Sequence, residues 1–404
     1  MKKTTFILLG VLCLIAITRQ EANAQYLLSS DSAFKAGTPM TGHLWGYTFG
    51  DYIYKGHSDA LNRGGANQYS GMAKNTNEFD FRRIYLGYDF NINNKFSTEL
   101  LLAAEDNTAL NGAPANGDLL ANGKFTFYIK LADVRWKNIW KGTDLVVGQS
   151  ATPAFPATSE KVWGYRSIER TIADIRRTPS YDLGVSLQGK FDNKGNYGYD
   201  LMVGNGNGDK PETNNYKEFY GDVWAKFIDQ KLLIDLYSDY QKLNWTPTWH
   251  HASNMIKLFV GYTEKNYAVG VEGFVNRGLK DVAGLNGANS DTLDAHATGL
   301  SMFAHANLVK NKLAVFGRMD LFNPDTKYDN QSYTTYKGFS SHYDPNTKEQ
   351  FITAGLDFTP VKNVHLMPNI WYNAYRNQQA NITGTTKKDY DLVYRMTFYY
   401  VFGK

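Results

Sequence analysis

Apolar and polar side chains alternate with a period of two along most of the chain. The segment YDLGVSLQGKF (181–191) shows this alternation, and so do KLAVFGRMD (312–320) and DLVYRMTFYYVF (391–402). Side chains on a β-strand point alternately to opposite faces, so a period of two maintained over about ten residues indicates a strand. The pattern therefore predicts a chain built almost entirely of β-strands.

Sixteen such segments account for most of the sequence. They lie at 42–54, 77–91, 95–106, 124–136, 142–149, 180–191, 197–204, 218–229, 231–241, 254–262, 266–276, 296–307, 312–321, 349–358, 363–374 and 389–402. Short turns follow the even-numbered strands, and long polar loops follow the odd-numbered ones, at 55–76, 107–123, 150–179, 205–217, 242–253, 277–295, 322–348 and 375–388. Bacterial outer-membrane barrels sort their connections in this way, with short periplasmic turns and long extracellular loops. We therefore expect an all-β fold, a closed sixteen-stranded antiparallel transmembrane barrel with an aqueous lumen.

Residues 1–24 have the layout of a secretory signal peptide. Two lysines precede the apolar run FILLGVLCLIAI, and the small-residue sequence ANA lies before the expected cleavage point. A membrane anchor or a buried first helix is the alternative, but the run is shorter than the ~20 residues that span a bilayer. The only cysteine, Cys13, lies in this run, so the exported chain would hold no disulfide. We predict a signal peptide at 1–24 and one barrel domain at 25–404.

The composition fits an outer-membrane barrel better than a soluble enzyme. Aromatic residues make up 15% of the chain, with 28 tyrosines, and 36 glycines stand against 11 prolines. Such a barrel needs tyrosine-rich girdles and glycine-rich turns. The mean hydropathy of −0.44, with no second long apolar run, excludes a bundle of membrane helices. The formal net charge of +4 is small for 404 residues, which argues against a nucleic-acid partner.

The third long loop, 150–179, is the longest and carries many charges. Its ionisable residues are Glu160, Lys161, Arg166, Glu169, Arg170, Asp174, Arg176 and Arg177. If the loop folds into the barrel, these charges line the narrowest point of the lumen, where low-dielectric walls strengthen their field. An ordinary solvated surface loop is the alternative. We expect the infolded arrangement, with the four arginines at the constriction.

The second predicted strand contains FDFRRIYLGYDF (79–90), with two adjacent arginines. Regular alternation places Arg83 in the lumen and Arg82 on the lipid face. A cation on the lipid face costs about 2–4 kcal/mol at mid-bilayer. Arg82 must therefore lie above the hydrocarbon band, sit in a subunit interface, or be turned inward by a β-bulge.

Several blocks of the chain are similar to one known family. The blocks are FRRIYLGYDFNINNKFSTEL (81–100), DLVVGQSATPAF (144–155), SIER (167–170), PSYDLGVSLQGKFDNKGNYGYDLMVGNGNG (179–208) and VYRMTFYYVF (393–402). They resemble the phosphate-selective porins, which are trimeric, sixteen-stranded outer-membrane channels. The resemblance implies that Arg82, Arg83 and Arg170 line a constriction that attracts anions, and it favours the inward bulge at Arg82. It also implies a homotrimer.

Further charged side chains share the predicted lumen face. The basic ones are Arg83, Lys130, Lys190, Lys226, Arg318 and Arg395, of which Lys130, Arg318 and Arg395 join the other arginines as predicted pore-lining residues. The same face carries Asp89, Glu99, Glu105, Asp182, Asp222, Asp235, Glu272 and Asp320. Because a pathway that draws phosphate inward needs a mostly positive wall, this balanced face leaves anion and cation preference open.

These features indicate an outer-membrane porin for passive diffusion of small hydrophilic solutes and ions, with anions such as phosphate among the candidates. The alternative is a plugged outer-membrane barrel that acts as a surface receptor, an adhesin or a lipid-acting enzyme. The sequence contains no Ser-centred elbow and no zinc-binding helix motif, and His250-His251 has no evident third ligand. We therefore expect no enzymatic activity, no cofactor and no metal site.

Overall fold

The computed structural model describes residues 41–64, 68–105, 108–109, 113–114, 126–154, 159–176, 179–286, 289–328, 335–338, 344–378 and 388–403. Sixteen long strands make up most of this part: β1 Thr41–His57, β2 Asn77–Asn91, β3 Phe96–Glu105, β4 Tyr128–Trp140, β5 Thr143–Ala151, β6 Tyr181–Lys190, β7 Tyr197–Gly204, β8 Glu218–Phe227, β9 Leu232–Trp245, β10 His250–Thr263, β11 Tyr267–Asn286, β12 Asn289–Val309, β13 Leu313–Asn323, β14 Thr347–Val361, β15 Val364–Asn377 and β16 Lys388–Phe402. Two short helices, α1 Ser159–Trp163 and α2 Ile172–Arg176, lie between β5 and β6. Three shorter strands lie in other connections, at Thr108–Ala109, Ala113–Pro114 and Thr335–Gly338. The predicted signal peptide lies outside the described residues.

Each long strand pairs antiparallel with its neighbours in sequence, and β16 returns to pair with β1. In this closing pair, Gly46 lies opposite Phe402 and Ile53 lies opposite Arg395. Closure gives every long strand two hydrogen-bonded neighbours, so the sheet has no free edge. The prediction of a closed, sixteen-stranded antiparallel barrel is confirmed.

Among the described residues, no helix is long and apolar enough to cross a membrane.

Some strands extend further than their apolar alternation predicts. β11 and β12 continue to the tip of their hairpin, so most of the predicted loop 277–295 is paired strand. β9 and β10 likewise leave only 246–249 of the predicted loop 242–253. In the β11–β12 extension, Arg277 forms an ion pair with Asp294 at 2.7 Å. In β11, Lys280 and Asp281 interrupt the alternation where the register shifts between Gly278 and Val282, so alternation did not reveal this extension.

The outward face of the barrel is apolar around its circumference. Large exposed side chains on it include Leu86, Leu100, Val134, Val147, Val185, Leu201, Val223, Leu236, Leu258, Val271, Leu300, Leu321, Leu356, Ile370 and Tyr394. Exposed aromatic residues lie toward both ends of this band, with Tyr52, Phe79, Phe81 and Phe219 near the long loops and Trp136, Trp140, Phe191 and Phe402 near the short turns. An apolar band between two aromatic girdles suits a bilayer. The barrel therefore presents a lipid-facing exterior.

The inward face is mostly buried, because wall side chains pack against the connection between β5 and β6. We call the described residues of this connection, 152–154, 159–176 and 179–180, the inner loop. One apolar cluster joins Tyr47 and Phe303 of the wall to Trp163 of α1. A second cluster joins Tyr237 of the wall to Ile172 of α2. The core of the molecule therefore lies inside the barrel.

Left-handed backbone conformations mark the short-turn end of the barrel. Asn138 and Asn311 have φ values of 50° and 56°, and asparagine reaches this region with less strain than most side chains. In the turn after β8, Ile228, Asp229 and Gln230 have φ values of 54°, 53° and 66°. This turn therefore reverses the chain without a glycine.

Candidate functional site

The inner loop lies inside the barrel rather than on its surface. α1 packs against β10, β11 and β12, and α2 packs against β12. The ring of Trp163 is fully buried, with its centroid 5.2 Å from that of Phe303. The ring of Tyr165 lies 4.5 Å from that of Phe316. These contacts remove large aromatic surfaces from water and so stabilise the infolded position.

Five basic side chains of the wall hydrogen-bond backbone carbonyls of the inner loop. The pairs are Arg82 with Ser167, Lys257 with Ala154 at 2.9 Å, His305 with Val162 at 3.0 Å, Arg318 with Arg170, and Arg395 with Ile168 at 3.2 Å. The donors stand on β2, β10, β12, β13 and β16, so they hold the loop from several sides of the lumen. Buried carbonyls require hydrogen-bond donors, and cationic donors form the stronger bonds. These side chains therefore anchor the loop.

A β-bulge turns both adjacent arginines of β2 into the lumen. In the β1–β2 pair, Phe49 lies opposite Arg83. The next residue of β1, Gly50, lies opposite Phe81, which leaves Arg82 as the extra residue of the bulge. Of the three alternatives for Arg82, the inward bulge is confirmed, so its guanidinium avoids the cost of facing lipid.

Carboxylates neutralise much of the positive charge that β2 and β4 carry into the lumen. Arg82 forms an ion pair with Asp51, which is fully buried on β1. Arg83 lies 3.9 Å from Glu105, and Lys130 lies 2.5 Å from the same carboxylate. Lys130 is itself the extra residue of a second bulge, in β4. Three cations thus share two carboxylates, which leaves little positive charge to attract an anion.

Arg166 lies at the centre of an ion-pair network within the inner loop. Its guanidinium is 3.2 Å from Asp174 and 3.6 Å from Glu160. Burial raises the pKa of Glu160 to about 7, although the charge of Arg166 opposes this rise. Burial also acts to raise the pKa of Asp174, but the charges of Arg170 and Arg166 hold that pKa below its ordinary value. The network thus contains one carboxyl group that titrates near neutral pH.

Arg176 fastens α2 to the wall opposite the point where the inner loop emerges. Its two terminal nitrogens each lie 3.0 Å from an oxygen of Glu349 on β14. The guanidinium also lies 4.5 Å from the centroid of the Phe322 ring. A bidentate arginine–carboxylate pair fixes orientation as well as distance. This pair therefore holds α2 across the lumen.

Eight of the nine predicted pore-lining residues are described, and Arg177 lies outside the described residues. All eight lie inside the barrel: Arg82, Arg83, Lys130, Arg166, Arg170, Arg176, Arg318 and Arg395. Arg170 keeps the largest exposed fraction, with 31% of its side chain accessible and Asp174 at 3.9 Å. We expected cations that are free to meet a solute, whereas these pair with carboxylates or with loop carbonyls. Their pore-lining role stays a prediction.

Sequence reasoning missed two of the carboxylate partners and one anchoring cation. Asp51 pairs with Arg82, and Glu349 pairs with Arg176. The missed cation, Lys257, donates a hydrogen bond to the carbonyl of Ala154. The available signal was a charged residue at an inward position of a mostly apolar strand. That signal marks the residue, but it does not identify its partner.

Solved structures of outer-membrane proteins share this fold at low sequence identity. The outer membrane channel DcaP of Acinetobacter baumannii is 11% identical, with a TM-score of 0.60 over 91% of this chain and 99% of that chain. OmpF of Salmonella typhi, in complex with daunomycin, is 10% identical, with a TM-score of 0.55 over 89% of this chain and 97% of that chain. The outer-membrane expressed OmpT of Vibrio cholerae is 11% identical, with a TM-score of 0.53 over 94% of this chain and 100% of that chain. At these identities, the likeness shows the fold alone.

No family model matches the sequence, and no curated protein matches it. The resemblance to the phosphate-selective porins therefore stays a prediction.

Proposed function

We propose that this protein is an outer-membrane channel for passive diffusion of small hydrophilic solutes and ions. The observation that carries the proposal is a closed barrel with a lipid-facing exterior and a lumen wall rich in charged side chains. Charged groups that face one another across a lumen are the means by which channels discriminate among ions. The fold shared with DcaP, which is named as an outer membrane channel, also supports the proposal.

The same proposal includes a location and an assembly. The signal peptide at 1–24 would direct export, and the apolar exterior would hold the barrel in the outer membrane with its long loops outside. Outer-membrane lipid is then one partner, and the permeating solute is another. The homotrimer rests on the resemblance to the phosphate-selective porins. Passive diffusion requires neither a catalytic group nor a cofactor.

We assign the size limit of the channel to the inner loop. The loop crosses the lumen from β5 and β6 to its anchor on β14, and its anchoring contacts are buried. Only the space beside the loop is then left for solutes. We therefore expect a low conductance that admits ions and the smallest hydrophilic solutes.

The test is the conductance of the purified protein in planar lipid bilayers. We expect stepwise increases in current, each small for a sixteen-stranded barrel because the inner loop narrows the lumen. Detergent without protein serves as the blank. Circular dichroism on the same sample verifies the β-fold, so that the absence of steps from folded protein would overturn the proposal.

A plugged barrel is the second candidate, because many inward side chains are buried. Phe259 and Tyr237 of the wall are fully buried, as is Trp163 of the inner loop. A barrel filled in this way could present its long loops as a receptor or adhesin surface without conducting ions. Folded protein that gives no conductance steps would favour this candidate.

A further inference from the structure

One sector of the lumen wall carries carboxylates without basic partners of its own. The buried charged side chains of β6–β9, which are described in full, are Asp182, Asp200, Glu218, Asp222, Asp235 and Asp239. We call these six residues the acidic sector. The lysines of these four strands are exposed or half-buried, Lys226 of β8 among the half-buried ones, so none of them is buried with the six carboxylates. The wall cations that hold the inner loop lie on other strands. The buried basic groups of the wall therefore contact the inner loop, and the carboxyl groups of β6–β9 lie apart from most of them.

Strand register places these carboxylates along the barrel axis. Asp222 lies directly opposite Asp200 on β7, and Glu218 lies four residues nearer the long-loop end of β8. On β9, Asp239 and Asp235 lie on either side of the level of Asp222. At the rise of a β-strand, the sector spans roughly 20 Å of wall. Carboxylates at neighbouring positions repel one another, so this arrangement costs free energy unless a cation compensates.

Asp222 has the fewest hydrogen-bond donors in the sector. Its side chain is 1% exposed, and neither carboxylate oxygen accepts a hydrogen bond from an amide, a hydroxyl or a basic side chain of the residues that the structure describes, while the carboxyl group of Asp235 lies against it. Its charged neighbours are Asp235, Asp200 and the Lys257 ammonium. Two buried carboxylates in contact are costly unless a proton or another cation lies between them. The position is therefore suited to a visiting cation.

Lys257 on β10 is shared among several groups. Its ammonium donates a hydrogen bond to the carbonyl of Ala154 in the inner loop at 2.9 Å. It also lies 3.8 Å from Asp235 and 3.9 Å from Glu272. This one ammonium is shared among several groups, so it does not balance the six carboxyl groups of the acidic sector.

We propose that the acidic sector is a pathway for small monovalent cations, which pass along the β6–β9 wall while the inner loop occupies the rest of the lumen. This inference rests on the proposed channel function and names its solute class. Closely spaced carboxylates favour cations in ion-conducting pores. Within the described part of the chain, no group of three His, Cys, Asp or Glu side chains is arranged to hold a metal ion. The sector therefore offers a series of transient contacts rather than a chelating site.

The test is the reversal potential of the purified protein in a bilayer under a KCl gradient. We expect the wild type to prefer K⁺ over Cl⁻, because the unneutralised carboxylates repel chloride. Asp222→Asn removes one charge and keeps the side-chain shape, so we expect the K⁺/Cl⁻ permeability ratio to fall roughly twofold or more. Asp200→Asn provides a second variant in case the first fails to fold.

Asp229→Asn is the matched control. It makes the same chemical change in the exposed turn after β8, where φ is 53°, a value that asparagine tolerates. We expect this variant to keep the wild-type permeability ratio. A preference of the wild type for Cl⁻, or an Asp222→Asn ratio equal to that of the wild type, would overturn the cation pathway while the channel function stood. Folded protein without conductance would overturn the channel function, and the pathway with it.

Discussion

Arg82 and Arg83 are neighbours in sequence, yet their surroundings differ. Arg82 pairs with the fully buried Asp51 and donates to the carbonyl of Ser167, and 8% of its side chain is exposed. Arg83 keeps 14% of its side chain exposed and lies 3.9 Å from Glu105. Glu105 keeps Lys130 as a closer partner when Arg83 is absent. Removing Arg82 would leave a buried charge without its cation, whereas removing Arg83 would not.

We therefore expect unequal losses of stability from the two alanine variants. Arg82→Ala should lower the free energy of unfolding by about 3–5 kcal/mol, the cost of breaking a buried ion pair. Arg83→Ala should lower it by about 1–2 kcal/mol, because only a weak pair is lost. Urea unfolding in lipid vesicles, followed by tryptophan fluorescence, measures both. Equal losses would contradict the anchoring role of Arg82.

Glu160 makes the inner loop sensitive to pH. Burial raises its pKa to about 7 from an ordinary value of 4.5, so the folded loop favours the neutral carboxyl group. The charges that act on it are those of Arg166, Asp174, Arg318 and Arg83. Its contribution to stability is complete below pH 4.5 and is lost as the pH rises through about 7.

We expect the inner loop to leave its packed position more often above pH 7 than below it. Single-channel recordings should then show more frequent changes of conductance in alkaline buffer. The glutamine of Glu160→Gln is neutral at every pH, so this variant should show the same frequency of conductance changes on both sides of pH 7. If the frequency rises in the variant as much as in the wild type, the pH dependence belongs to another group.

Within the strands, a close contact between two backbones requires a glycine at one position of β5. Gly148 on β5 has a φ of +132°, and a Cβ atom there would lie 2.3 Å from the carbonyl oxygen of Ala132. Both the conformation and the contact exclude a side chain. Gly317 on β13 differs, since a Cβ atom there would meet only the carbonyl oxygen of Thr353 at 3.9 Å, an ordinary contact.

We expect Gly148→Ala to destabilise the barrel by about 1–3 kcal/mol, the cost of a strained backbone position. Gly317→Ala, the matched control, should change stability far less. The midpoints of urea unfolding in vesicles compare the two variants. Similar midpoints would show that β4 and β5 can move apart at this point.

For the whole molecule, the barrel and the inner loop have separate roles. Strand pairing and the apolar exterior form the barrel without contributions from α1 or α2. The inner loop fills the lumen and is held by wall side chains, among them Glu349 and Arg395. Removing the loop should therefore open the lumen and leave the barrel closed.

Replacing 159–176 with a short Gly-Ser linker should raise the single-channel conductance several-fold, because the free cross-section of the lumen increases. Arg176→Ala is the graded control, since it removes the contacts of one side chain, with Glu349 and Phe322, and should give a smaller rise. Conductance steps in planar bilayers measure both variants. A wild-type step size in the linker variant would show that the inner loop does not limit the current.

The sequence alone was enough to predict the number of strands, their antiparallel order, and the alternation of short and long connections. These features follow from local physics. A strand with lipid on one face and lumen on the other must alternate with a period of two, and that pattern can be read without knowing which residues meet. Alternation gives no signal where polar residues interrupt it, as in the β11–β12 extension.

Which charged side chains pair with one another became visible only in the folded barrel. Alternation left three positions open for Arg82, and the register of β1 against β2 selected the bulge. The partner of Arg176, Glu349, lies 173 residues away in sequence. The lack of hydrogen-bond donors around the Asp222 carboxylate is likewise a property of the folded barrel. Ion pairs depend on strand register and on the path of the loop, which are non-local properties of the closed barrel.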